Sequence, residues 1–98
     1  MRKPKIPLLV LLAACAPAPV QEMSDARQAI AVAREAGAEE LAAIHLKAAE
    51  FYLKSAEEKI NERQFQQARY DAKQAKIKAL DALRAAEASD NQQTDESP

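Results

Sequence analysis

From Phe65 onward an apolar residue returns at spacings of 3, 4, 3, 4, 3 and 4, through Ala68, Ala72, Ala75, Ala79, Ala82 and Ala86. That alternation gathers side chains along one side of an α-helix and scatters them over both faces of a strand, so the stretch buries its apolar residues only as a helix. Residues 38–60 carry a matching stripe, Ala42, Leu46, Ala49, Leu53, Ala56 and Ile60, at spacings of 4, 3, 4, 3 and 4. Folded antiparallel about residues 61–63, the stripes face each other, with Leu53 near Ala72, Leu46 near Ala79 and Ile60 near Phe65. Large residues then oppose small ones, and the axes can approach to about 8 Å. The charges agree with this pairing. Residues 38–62 hold three cations and six anions, whereas residues 64–88 hold five and three, so an acidic helix lies beside a basic one.

Composition excludes most alternatives. The chain has 98 residues, 23 of them Ala, with one Gly, four aromatics and no Trp, which is poor material for a sheet and good material for helices. The formal net charge of −1 gives no bulk attraction to nucleic acid. One Cys forbids an internal disulfide, and one His leaves no metal-ligand cluster. The expected fold is all-α, a small three-helix arrangement dominated by a long antiparallel alanine-rich hairpin.

Local signals place the helices at about 25–36, 38–60 and 64–88 within a folded domain of residues 23–88. Ser24 is suited to cap the first helix, with Asp25 in its first turn, and Gly37 to close it. Asn61 tolerates the left-handed conformation that would end the second. Ala26, Ile30, Ala33 and Val32 are the residues with which the first helix could cover part of the hairpin. Residues 89–98 are polar and acidic and read as a disordered tail.

The N-terminus has a different character. Arg2, Lys3 and Lys5 precede an apolar run at 6–12, too short to cross a bilayer, which needs about 20 helical residues. It reads as a signal peptide over residues 1–14. The run ends in Leu12, Ala13, Ala14 and Cys15, which resembles the lipobox of bacterial lipoproteins. The resemblance implies cleavage before Cys15 and attachment of acyl chains to that residue, which would hold the protein to membrane lipid. In enteric-type sorting an Asp after the Cys retains the protein in the inner membrane; Ala16 implies the outer membrane, facing the periplasm. The remaining 84 residues would carry a net charge of −4. Pro17 and Pro19 make residues 15–22 an extended tether, holding the domain roughly 20 Å from the lipid.

Two further resemblances concern the helices. Phe65, Ala68, Ala72 and Ala75, with Ala56 before them, resemble the packing of a tetratricopeptide repeat. Only one such unit is present, where stacked arrays need about three, and Arg63 stands where that repeat prefers Gly. Residues 23–88 as a whole resemble a family of alanine-rich bacterial lipoprotein domains of unknown function, found alone or ahead of OmpA-like domains. The resemblance rests on the opening Met23-Ser24-Asp25-Ala26-Arg27-Gln28-Ala29-Ile30, the Ala36-Gly37-Ala38 break and the Phe65 helix. That family brings no established activity with it.

Little in the chain points to catalysis. His45 has no second ligand at metal-binding spacing, Glu39 and Glu40 suit the positive end of a helix dipole, and no phosphate-binding loop is present. The expectation is a protein that is not an enzyme and takes no cofactor or metal. Ile44 and Phe51 lie opposite the stripe of their helix, and Tyr70 and Ile77 likewise, which makes these four a candidate partner surface. Arg69, Lys73 and Lys76 form a basic strip without interleaved aromatics, so nucleic acid is not expected. The leading functional reading is a lipid-anchored envelope protein acting as a helical interaction or adaptor domain, its partner an envelope protein or a second copy. The alternative is a structural lipoprotein supporting the wall or membrane. Peptidoglycan would then be contacted without covalent linkage, since the chain ends Asp95-Glu96-Ser97-Pro98 and not in the Lys such linkage uses.

Overall fold

The computed structural model describes residues 17–96. The signal segment 1–14, the lipobox Leu12, Ala13, Ala14 and Cys15, and the last two residues of the tail lie outside the described residues. Four helices follow in order: α1 (Val20–Glu35), α2 (Ala38–Leu41), α3 (Ala43–Asn61) and α4 (Phe65–Glu96). Among the described residues there is no strand.

The α3–α4 hairpin forms as the two stripes require. Ala68, Ala72, Ala75, Ala79, Ala82 and Ala86 are all fully buried, as are Ala49 and Ala56 opposite them. Leu46 and Ala49 pack in one apolar cluster with Ala79, Ala82 and Ala86, and Ala56 in a second with Ala72, flanked by Leu53 and Ile60. Alanine carries no rotamers to arrange, so the contact is close along its whole length.

Helix α1 lies in the groove of this hairpin. It runs antiparallel to α3, joined to it by Arg27–Glu57 and Arg34–Glu50, and parallel to α4, joined by Arg69–Glu22. Met23, Ala26, Ala29, Ile30 and Ala33 are its buried face. Val32 is exposed; it does not cover the hairpin, while Met23 and Ala29 do.

Helix α1 also begins five residues earlier than Ser24 and Asp25 suggest. Pro19, with φ −79°, precedes it and accepts the Met23 N–H at 3.0 Å. Proline is at home just before a helix because its φ is already helical and its missing N–H is not needed there. Starting at Val20 also brings Met23 into the cluster with Ala56 and Ala72, a burial worth more than the cap that Ser24 would supply. Pro19 is itself fully buried. The expected tether over 15–22 is therefore short: its second half belongs to the bundle.

The expected second helix is broken at Ala42 (φ −148°, ψ 46°), which separates α2 from α3. Neither Pro nor Gly marks the place. The bend lets Ala38 and Ala42 join Leu46 against the far half of α4, and tertiary burial outweighs local propensity.

The two chain reversals use left-handed residues. Gly37 has φ 88°, and its N–H donates to the Arg34 carbonyl at 2.9 Å. At the second reversal Arg63, not Asn61, adopts φ 63°. Arg63 N–H donates to Ile60 O at 2.9 Å and Gln64 N–H to Lys59 O at 2.8 Å, the paired bonds of a Schellman ending. Asn61 is instead the last helical residue of α3, because the stripe through Ile60 must be completed before the chain can turn. Helix α4 then continues through Glu96 where a disordered tail is expected from 89. No Gly or Pro interrupts it before Pro98, and extending a formed helix is cheap compared with starting one.

Candidate interaction surfaces

Ile44 and Phe51 are 83% and 69% exposed, Tyr70 and Ile77 60% and 47%. All four stand at the surface, but the fold does not bring them together. On α3, Ile44, Ala48, Phe51 and Ser55 follow at spacings of 4, 3 and 4, one column of the helix. Ser55 reaches across to Asp71 of α4, whereas Glu50 and Glu57 reach α1. The Ile44–Phe51 column thus lies on the face of the hairpin opposite α1. Phe51 holds Tyr52 edge-on, with ring centroids 5.6 Å apart, a stable aromatic arrangement.

Ile77 belongs to the other side. It lines a groove between α1 and α4 with Leu80, Lys73, Lys76, Gln21, Glu22 and Asp25. Tyr70 directly follows Arg69 in the chain and borders two shallow hollows, one with Lys59, Gln67 and Asp71 on the α3 side and one with Arg69 and Lys73 on the other. Ile44 with Phe51 and Ile77 are therefore separate apolar features on opposite faces, and Tyr70 stands between them on the outer edge of α4. Sequence spacing shows only that each pair leaves its own seam; which way each pair then turns depends on the side that α1 takes.

The basic strip is also divided. Arg69 is held inward, its Nε donating to Glu22 Oε2 at 3.2 Å and its Nη2 to the Pro17 carbonyl at 3.3 Å. Lys73 and Lys76 remain exposed on the rim of the α1–α4 groove. Spacing could not have revealed this role of Arg69, since its partners lie 47 and 52 residues away.

His45 is exposed on α3, and Glu39 and Glu40 are exposed in the first turn of α2. Among the described residues no group of three or more His, Cys, Asp or Glu is placed to hold a metal ion. No helix among them is long and apolar enough to cross a membrane. Comparison with known protein families, curated proteins and solved structures finds no match to this chain.

Proposed function

We propose that the protein is a lipoprotein of the bacterial envelope, acylated at Cys15 and facing the periplasm from the outer membrane, whose helical bundle serves as an interaction domain. The address comes from the Leu12-Ala13-Ala14-Cys15 segment followed by Ala16. The observation that supports an interaction role is the exposed column of Ile44 and Phe51. A third helix was available to cover an apolar strip, and it packs on the other face of the hairpin. An aromatic and a β-branched residue two turns apart, with Tyr52 against the ring, are the anchors from which helix-groove contacts are made. The partner is an envelope protein or a second copy of the chain.

Two measurements test the reading. Radiolabelled palmitate should enter the wild-type chain and not Cys15→Ser, which should accumulate as precursor; normal processing of that variant would refute the address. A photo-crosslinking residue at position 51 should capture a discrete product in intact cells, and the same residue at position 54 should not. Equal silence at both positions would favour the structural alternative, support of the wall or membrane without a specific protein partner.

A further inference from the structure

Given acylation at Cys15, we infer that Arg69 is a clamp that sets the whole bundle end-on to the lipid, with the α3–α4 turn against the headgroups. The surface involved is the end of the bundle formed by residues 61–67 and the start of α1. Its partner is a phospholipid headgroup layer.

The chain enters the fold at one end of the bundle. Pro19 is fully buried, Ala18 and Val20 line a hollow with Ile60 and Asn61, and the Pro17 carbonyl is bonded to Arg69. Arg69 is only four residues into α4, about 6 Å along its axis. The exit point is thus fixed at the turn end of the bundle. Between Pro17 and Cys15 stands Ala16 alone, and two residue steps of extended chain span at most about 7 Å. The backbone of Cys15, from which the lipid is carried, cannot lie farther than that from Pro17. The opposite end, at Gly37, is out of reach, because α1 is 16 residues long and so about 24 Å.

Surface chemistry bears on the same pose. Glu35, Glu39, Glu40 and Glu87 are exposed at the far end, where anionic headgroups would repel them. The turn end has fewer exposed carboxylates, Glu58 and Glu62, with Arg63 exposed beside them, and Tyr70 presents an amphipathic ring of the kind that settles at a headgroup layer. Phe51 and Ile44 stand 10 and 17 residues back from Asn61, about 15 and 26 Å along α3. The pose therefore keeps the apolar column clear of the lipid and open to a protein.

The test is independent of acylation in the cell. The chain from Cys15 to Pro98, whose only Cys is Cys15, is coupled through that thiol to a maleimide lipid in phosphatidylcholine–phosphatidylglycerol nanodiscs containing nitroxide-headgroup lipid. Amide signals of Glu62, Arg63 and Gln64 should lose intensity several-fold, while those of Glu39, Glu40 and Ile44 are unchanged. Arg69→Ala should flatten this gradient. So should a Gly-Ser-Gly-Ser insert between Ala16 and Pro17, which leaves every contact of the bundle in place. Equal broadening at both ends of the wild-type bundle, broadening centred on Ile44 and Phe51, or a gradient unaffected by both variants would overturn the clamp. None of these outcomes depends on whether Cys15 is acylated in the cell, which the palmitate experiment decides separately.

Discussion

The Ser55 hydroxyl donates to Asp71 Oδ2 at 2.6 Å, and Lys59 Nζ stands 3.6 Å from the same oxygen. This small polar group ties the middle of α3 to the second turn of α4. Its value is register. An alanine stripe is nearly the same at every step, so sliding one helix past the other by a heptad leaves much of the apolar contact intact. It would, however, set Ser55 and Lys59 opposite Gln64 or Lys78 in place of the carboxylate. Asp71→Ala should therefore cost about 1–2 kcal/mol, the usual loss when a partly buried hydrogen-bonding group is left without its partner. Urea unfolding of Asp71→Ala, Ser55→Ala and the double variant should give a coupling above about 0.5 kcal/mol; simple additivity would mean that the bond does not hold the register.

Arg63 occupies a backbone conformation that costs an L-residue about 1–2 kcal/mol and glycine nothing. Glycine loses about 0.5–1 kcal/mol of that advantage through greater freedom in the unfolded chain. Arg63→Gly should thus stabilise the bundle by about 0.5–1 kcal/mol, raising Tm by roughly 4 °C in a chain this small. Gly37→Ala is the mirror test. A methyl there would meet Leu41 Cδ1 at an ordinary 3.5 Å, so only the φ of 88° opposes it, and the expected loss is about 1 kcal/mol.

Ala72 and Lys73 are neighbours on α4, one fully buried and one exposed. Ala72→Leu would force three more carbons into a seam without room for them, at a cost of about 1–3 kcal/mol. Lys73→Leu should change stability by less than about 0.5 kcal/mol. Thermal melts of the two variants separate the buried face from the exposed one directly.

Because Phe51 and Ile77 lie on different faces, their roles are separable. Phe51→Glu should abolish the crosslinked product or any concentration-dependent association seen by sedimentation, while Ile77→Glu should leave both intact. Loss of the product with Ile77→Glu alone would assign the partner to the α1–α4 groove. Both variants should remain helical by circular dichroism, since neither side chain is buried.

The hairpin could be read from spacing because every seam position obeys one rule of periodicity, and each alanine from Ala68 to Ala86 in that stripe is buried without exception. What could not be read depends on contacts distant in sequence. The start of α1 at Val20 is decided by Met23 meeting Ala56 and Ala72, and the bend at Ala42 by the far half of α4. Asn61 has the better intrinsic tolerance for a left-handed turn, yet the seam must run through Ile60 first, which moves the turn to Arg63. The division of the apolar surface follows from the side on which α1 docks, and the contacts made there, such as the ion pair of Glu22 with Arg69, join residues 47 positions apart. Local rules place helices; only the assembled bundle says which surfaces are left.

The alanine face of α4 also shapes how stability responds to heat. Methyl groups expose little apolar surface on unfolding, and that exposure is what gives unfolding its large positive heat-capacity change. They also lose no rotamer freedom on folding. A bundle closed by Ala68 through Ala86 should therefore have a heat-capacity increment below the usual 12–15 cal/mol/K per residue, about the value for ordinary cores. Its free energy of unfolding should follow a flat, shallow curve, changing little over a broad range of temperature.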